Sequence, residues 1–243
     1  MHIYAIGDIH GHLELLKSAH HRIAADMALH GHGKIVHLGD LVDRGPDSRG
    51  VVEHLRTGMA EGRDWLVLKG NHDRLFTQFL NDPAWKDPGL RPEMNWLHPR
   101  IGGAFTLASY GVSNAADRPI APVVAEAIPA VPAEHRQFLE SLPTSFTHEA
   151  AIFVHAGIRP GIALADQAET DLLWIRKGFL DDTRDHGALI VHGHTALDKV
   201  THYGNRLNMD SSAAYGGPLS AAVIEGRKAY LLTDAGREPL LPV

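Results

Sequence analysis

Apolar runs at Ile3–Ile6, 34–38 and 65–68 are short and continuous, the pattern of strands buried on both faces. Each gives way to a glycine-bounded polar loop: Gly7-Asp8-Ile9-His10-Gly11, Gly39-Asp40-Leu41-Val42-Asp43-Arg44-Gly45 and Lys69-Gly70-Asn71-His72-Asp73. Beyond the loops the apolar positions take on helical spacing. Leu13, Leu16, Ile23 and Met27 mark the first helix; Val51, Val52 and Leu55 the second, from a start near Asp47; Leu75, Phe76, Phe79 and Leu80 the third. Strand, polar loop and helix, three times over, predict an α/β fold with the three loops on one sheet edge.

The second half repeats the apolar runs without the regular alternation. Ala151–Val154 reads as a strand ending at His155-Ala156-Gly157, and 188–191 as another ending at His192-Gly193-His194-Thr195. Residues 134–142 and 171–180 have helical patterns, and from Lys199 onward the chain reads as short strands and hairpins, with turns at Asn208-Met209-Asp210 and Gly226-Arg227. Residues 81–132 are rich in proline and glycine and too long for a plain loop, which predicts a partly helical, cap-like insertion beside the site in a single domain of residues 1–243. There is no internal repeat.

Composition narrows the chemistry. With 23 Lys and Arg against 29 Asp and Glu, the formal charge is −6, and no block of like charge forms a basic stripe, so bulk binding of nucleic acid is not expected. An acidic protein that acts on phosphate needs local positive charge, and bound cations are the usual source. The absence of cysteine excludes disulfides, thiolate nucleophiles and sulfur-ligated metals. No segment reaches about 18 consecutive apolar residues and the N-terminus lacks a signal-peptide pattern, so no membrane association and a cytoplasmic location are expected. Eighteen histidines are many for this length; His20, His21, His30 and His32 have no carboxylate at metal spacing and receive no role.

Asp8, His10, Asp40, Asn71, His155 and His194 each follow an apolar strand, where open α/β sheets place ligands. Taken singly, the loops also read as surface turns, and Asp8 as a helix cap beside a solvent-facing histidine. Together they offer only oxygen and nitrogen donors, enough for two cations if one carboxylate bridges. The imidazoles suit Mn²⁺, Fe or Zn²⁺ better than Ca²⁺.

The three loop motifs resemble the signatures of the metal-dependent phosphoprotein phosphatases within the calcineurin-like metallophosphoesterase superfamily. His155-Ala156-Gly157, Trp174-Ile175-Arg176 and Gly193-His194-Thr195 are similar to the later motifs of its bacterial and phage branch. The resemblance implies two mixed sheets packed as a sandwich and flanked by helices in four layers, with two divalent ions, most readily Mn²⁺, at the sheet edge. It implies that Asp8 and His10 hold one ion, that Asp40 bridges, and that Asn71, His155 and His194 hold the other. A metal-bridging hydroxide is then the nucleophile, His72 the general acid, Asp43 its partner, and Arg44, Arg176 and Asn71 the phosphate-binding residues. Asp73 departs from the glutamate of the eukaryotic signature. His192 reads as a packing or supporting residue, Asp210 as a turn residue or the support of a site histidine, and Arg176 alternatively as a surface ion-pair residue on a helix.

The function so implied is hydrolysis of phosphoserine and phosphothreonine in a protein or peptide, with other phosphomonoesters as further substrates. The competing reading is a symmetrical bis(5'-nucleosyl)-tetraphosphatase with a nucleotide substrate; in that family the position of Asp43 is usually alanine. A metal-stabilised binding module without activity would lack a ligand or the acid, and none is missing. The site geometry also suits a phosphodiesterase or nuclease, against which the acidic balance argues. The segments by which eukaryotic relatives dock regulatory subunits are not present, so no such partner is expected.

Overall fold

The three strand, loop and helix units form where the apolar pattern places them. In the computed structural model, which describes residues 2–243, β1 (Ile3–Ile6) leads into α1 (Leu13–His30), β2 (Lys34–His37) into α2 (Ser48–Ala60) and β3 (Trp65–Val67) into α3 (Asn71–Asn81). The strands pair in parallel, β1 with β2 and β2 with β3, so all three loops emerge at one edge. The helices cover one face of this sheet, with Leu16, Ile23, Val51, Leu55 and Phe76 in a common core. Asp47 starts α2 by accepting the Gly50 N–H at 2.7 Å, an N-cap in the position the sequence gives it.

Residues 81–132 contain α4 (Gly103–Ser109) and α5 (Ile120–Ala130), and α6 (Ala133–Ser141) follows. Trp96, Leu97, Ile101, Leu107 and Val123 of this stretch enter the same core as α1 to α3, so the stretch is packed into the helical face and not perched on it. A bidentate ion pair ties it down further: Arg74 Nε and Nη2 of α3 donate to the buried Asp87 at 2.9 and 2.8 Å.

The second sheet is built from β4 (Ser145–His148), β5 (Ala151–Val154), β6 (Leu189–His192), β7 (Thr201–His202) and β8 (Arg206–Asn208), with the short α7 (Glu169–Trp174) between β5 and β6. Its order is β4-β5-β6-β8-β7, and the central strands β5, β6 and β8 are parallel. The chain then returns to the first sheet through β9 (Ala221–Glu225), β10 (Lys228–Thr233) and β11 (Gly236–Leu240), giving the order β11-β10-β9-β1-β2-β3. Ala5, Val36 and Leu38 meet Phe153, Leu189, Val191 and Leu207 between the two sheets. Two mixed sheets flanked by seven helices among the described residues make the α/β sandwich. No helix among them is long and apolar enough to cross a membrane.

Two elements differ from the sequence pattern. The helix expected over 171–180 occupies Glu169–Trp174, because Ile175 adopts an extended backbone that buries its side chain and Gly178 takes a φ of +84°. Arg176 therefore lies on the loop beyond the helix. β4 is the second difference: an edge strand carrying Ser145, Thr147 and His148 has no apolar run to reveal it.

Behind β2, His20, for which the sequence offers no role, stacks on Trp65 and joins His37 and His54 in a hydrogen-bonded row. His54 Nε2 lies 3.1 Å from His20 Nδ1, His20 Nε2 lies 2.9 Å from His37 Nε2, and His37 Nδ1 reaches the Leu66 carbonyl at 3.2 Å. Since the carbonyl only accepts, each neutral ring donates towards Leu66 in turn. Burial pushes the pKa of His20 down to about 2 and that of His37 to about 4. The unfolded rings bind protons near pH 6.5 and the folded ones only well below it, so this stability is present above that pH and lost as pH falls. His37 alone accounts for about 3 kcal/mol by pH 4. The urea midpoint should fall between pH 7 and pH 4.5, and fall less in His37→Leu; an equal fall in both would show that the row does not titrate with folding.

Candidate active site

The parallel strands of both sheets end at the same edge. β1 delivers Asp8 and His10, β2 delivers Asp40, β3 delivers Asn71 and His72 at the first turn of α3, β5 delivers His155 and β6 delivers His194. Cross-links between loops set their positions. The Asp40 carbonyl accepts His10 N–H at 2.8 Å, Asp40 Oδ1 accepts His72 N–H at 3.0 Å, and Asp8 Oδ2 accepts His194 N–H at 2.9 Å from the other sheet. Asp73 accepts the Gly70 N–H at 2.8 Å and the Leu41 N–H at 2.9 Å, so the shorter carboxylate of this sequence clamps the second loop to the third.

The glycines of the motifs permit this approach. A Cβ on Gly45 would lie 1.9 Å from the His10 carbonyl oxygen, and one on Gly70 would lie 2.1 Å from the Asp40 nitrogen. The backbone is also strained where the chemistry gathers. Among the described residues eight that are not glycine have positive φ, and five of them are His10, Asp40, Asp43, Arg44 and His194. Such conformations cost about 1–3 kcal/mol each and persist where the surroundings enforce them.

The histidine tautomers follow from their partners. His10 Nδ1 donates to the Val42 carbonyl and His155 Nδ1 to the Leu38 carbonyl, both at 2.9 Å, which leaves each Nε2 with a lone pair facing inward. Burial lowers the pKa of His10, His155 and His194, holding them neutral. Asp40 lies between the two sides: its Oδ2 is 3.4 Å from His10 Nε2 and its Oδ1 is 3.4 Å from His155 Nε2. Asn71 Oδ1 lies 2.9 Å from His155 Nε2.

Two compact groups of donor atoms result, His10 with Asp40 and His72, and Asp40 with His155 and His194, each within 4.8 Å and sharing Asp40. Asp8 belongs to neither group, but its Oδ1 is buried without a partner, as is His194 Nε2. Burial, then the charges of Asp210 and Asp40, push the Asp8 carboxyl well above its usual range, and burial with Asp40 pushes Asp210 to about 6. Orphaned donor atoms, inward lone pairs and a surplus of carboxylate fit a pair of divalent cations. Arg44 supplies positive charge at the same spot, its Nη1 2.8 Å from His10 Nε2 and its Nη2 3.0 Å from His72 Nε2.

The remaining expected residues line the cleft or support it. His72 Nδ1 meets Asp43 Oδ2 at 2.6 Å, with Asp43 completely buried. Arg176 faces the cleft and donates to the His194 carbonyl at 3.1 Å. Asp210 also lines it, its Oδ1 accepting Ser212 N–H, and it has no hydrogen bond to a site histidine among the described residues. His192 packs on Phe179, turned away from the cleft, with Nδ1 3.0 Å from the Gly193 carbonyl.

Several participants carried no sequence signal. Trp96 and Thr106 reach Asp43 from 53 and 63 residues away, and Tyr215, 67% exposed, lies under the Arg44 guanidinium at 5.3 Å. Gly89 seats the insertion on Trp174, where a Cβ would come within 2.3 Å of the indole.

A pocket of buried histidine and aspartate at the strand ends of two packed mixed sheets is a donor set suited to divalent cations. Residues 1–224 match the calcineurin-like phosphoesterase family, and the chain belongs to it. At 25% identity it is similar to serine/threonine-protein phosphatase 1 of Salmonella typhimurium, over 92% of each chain. It is equally similar, at 25%, to the asymmetrical bis(5'-nucleosyl)-tetraphosphatase PrpE of Anoxybacillus flavithermus, over 89% of this chain and 87% of that one. Among solved structures it shares the fold of the cold-active protein-tyrosine phosphatase of a psychrophilic Shewanella, with a TM-score of 0.63 and 18% identity over 99% of this chain and 80% of that one. Relatives at the same identity are named for different phosphate substrates, so the family establishes the class of hydrolase and leaves the substrate to the site.

Proposed function

We propose that the protein is a dinuclear-metal phosphomonoesterase that hydrolyses phosphoserine and phosphothreonine in the cytoplasm, with Mn²⁺ as the working ion. The observation that carries this reading is the buried Asp43–His72 pair at 2.6 Å, a ready proton donor for an alkoxide leaving group. Asp8, His10 and Asp40 would hold one cation and Asp40, Asn71, His155 and His194 the other. When bound, the ions supply Lewis acidity and positive charge that activate water near neutral pH and offset the phosphoryl oxygens.

The chain's own groups do the rest. Arg44 would exchange its two imidazole partners for phosphate oxygens, and Arg176, across the cleft, would take others with its planar fork. Protonated His72 gives its Nε2 proton to the leaving oxygen as the bond from that oxygen to phosphorus breaks, while the oxygen of water forms the new bond. Asp43 holds the Nδ1 proton throughout and keeps Nε2 directed into the cleft.

A dinucleoside tetraphosphate is the competing substrate, and two cleft residues favour it: Arg91 would suit extra phosphate and the exposed Tyr215 ring a base. Metal-stripped protein reconstituted with Mn²⁺ and assayed in parallel on a phosphothreonine peptide and on diadenosine tetraphosphate separates the two. A higher kcat/KM on the peptide is expected. A dinucleotide preferred by orders of magnitude would move the function to nucleotide turnover.

A further inference from the structure

Residues 96–106 reach into the Asp43–His72 pair. Asp43 accepts three side-chain hydrogen bonds: His72 Nδ1 at 2.6 Å and Trp96 Nε1 at 2.9 Å, both on Oδ2, and Thr106 Oγ1 at 2.6 Å on Oδ1. The Thr106 hydroxyl also accepts the Asp43 backbone N–H at 2.8 Å. One hydroxyl therefore grips both the main chain and the carboxylate of a residue with a φ of +74°. Ser48 Oγ stands beside it, 3.1 Å from Thr106 Oγ1 and 3.1 Å from the Asp43 nitrogen. One residue on, Arg44 N–H points at the Gly102 carbonyl at 3.4 Å, and a Cβ on Gly102 would fall 2.7 Å from that nitrogen.

Packing alone does not call for these groups. Thr106 is fully buried and Trp96 nearly so, and a buried hydroxyl or indole N–H is costly unless an acceptor meets it. Valine would fill the place of Thr106, and phenylalanine would keep the stacking of Trp96 on Phe76, whose ring centroids are 5.1 Å apart. With His72 as its only partner, the Asp43 carboxylate could turn about its Cβ–Cγ bond. Donors on both oxygens fix its plane, and the plane of Asp43 fixes the direction in which His72 presents Nε2.

We propose that Thr106 and Trp96 are positioning residues for proton delivery to the leaving group, so that the 96–106 segment determines how poor a leaving group the site can expel. This rests on the reading of His72 as the proton donor. An alkoxide from serine or threonine needs that proton; p-nitrophenolate leaves without it. The donors on Asp43 thus matter for the first kind of substrate and hardly for the second.

Four variants test this: Thr106→Val, Thr106→Ser, Trp96→Phe and His72→Gln, each reconstituted with Mn²⁺ and assayed on a phosphothreonine peptide and on p-nitrophenyl phosphate. Thr106→Val should lose about 30-fold or more of kcat on the peptide and less than about 3-fold on the nitrophenyl ester. Thr106→Ser should restore the peptide rate, and Trp96→Phe should show the same selective loss in smaller measure. In metal-free protein the downfield Nδ1 proton of His72, assigned by its absence in His72→Gln, should move in Thr106→Val and stay in place in Thr106→Ser. Equal losses on both substrates, or an unmoved proton with wild-type rates, would overturn the proposal. If Thr106→Val fails to fold, Trp96→Phe decides by the same ratio. A His72→Gln enzyme that treats the two substrates as wild type does would instead defeat the assignment of the proton donor, whatever Thr106 does.

Discussion

His72→Asn should lower kcat on a phosphothreonine peptide by roughly 10²–10⁴-fold with little change in KM, and Asp43→Ala should approach that loss. His72 presents Nε2 to the cleft, held there by a 2.6 Å bond from Nδ1 to a carboxylate with no solvent exposure. Without Asp43, the ring loses the partner that fixes its tautomer and orientation, and Trp96 and Thr106 lose their acceptor as well. A protein that keeps its peptide kcat after Asp43→Ala would not use the pair for proton delivery. In that case the residue that separates this chain from the tetraphosphatase pattern would lose its meaning.

Chelation should have the second large effect, on activity and on stability together. Asp8, Asp40 and Asp210 crowd one buried pocket, and burial with mutual repulsion pushes the carboxyls of Asp8 and Asp210 upward, so these two resist ionisation in the metal-free chain. A cation at 100 times its Kd contributes about 2.7 kcal/mol, so two contribute about 5 kcal/mol. For a chain of this size that corresponds to a Tm higher by about 10–20 °C with Mn²⁺ than with chelator. The sign of the pH effect follows from Asp210, whose folded pKa of about 6 lies above the usual 3.9 or so. In the metal-free chain its contribution to stability is present below the usual carboxylate range and is lost as pH rises through 6. Asp8, whose carboxyl is also pushed up by burial and by Asp210 and Asp40, would have to ionise to hold a cation, so the gain in Tm should grow as pH rises. A Tm that ignores Mn²⁺ at pH 7.5 would mean that the donor groups hold no ion.

How much of this the chain announces depends on how local each signal is. The strands before Asp8, Asp40 and Asn71 were legible because a buried apolar run stopped by a glycine and an acidic or amide residue leaves a short, unambiguous trace, and those before His155 and His194 because the run stops at a histidine near a glycine. The end of α7 was not, because Leu172 and Leu173 continue a helical pattern into Ile175, and only the packing of Ile175 shows that the chain has turned. β4 sits at a sheet edge with polar side chains, where no periodicity marks it. The grip of Trp96 and Thr106 on Asp43 and the row of His20, His37 and His54 join residues distant in sequence, and neither tryptophan nor threonine nor an isolated histidine advertises a distant partner. The sharing of Asp40 between two donor groups, inferred from the family resemblance, has its geometric counterpart in the 3.4 Å approaches of Oδ2 to His10 and Oδ1 to His155.

That shared carboxylate is the centre of the site, and counting ions tests it most directly. Mn²⁺ titrated calorimetrically into metal-stripped protein should bind in two equivalents per chain, and Asp40→Ala should weaken both, because one side chain serves the two groups of donors. A single equivalent in the wild-type chain, or two that survive Asp40→Ala unchanged, would contradict the dinuclear centre.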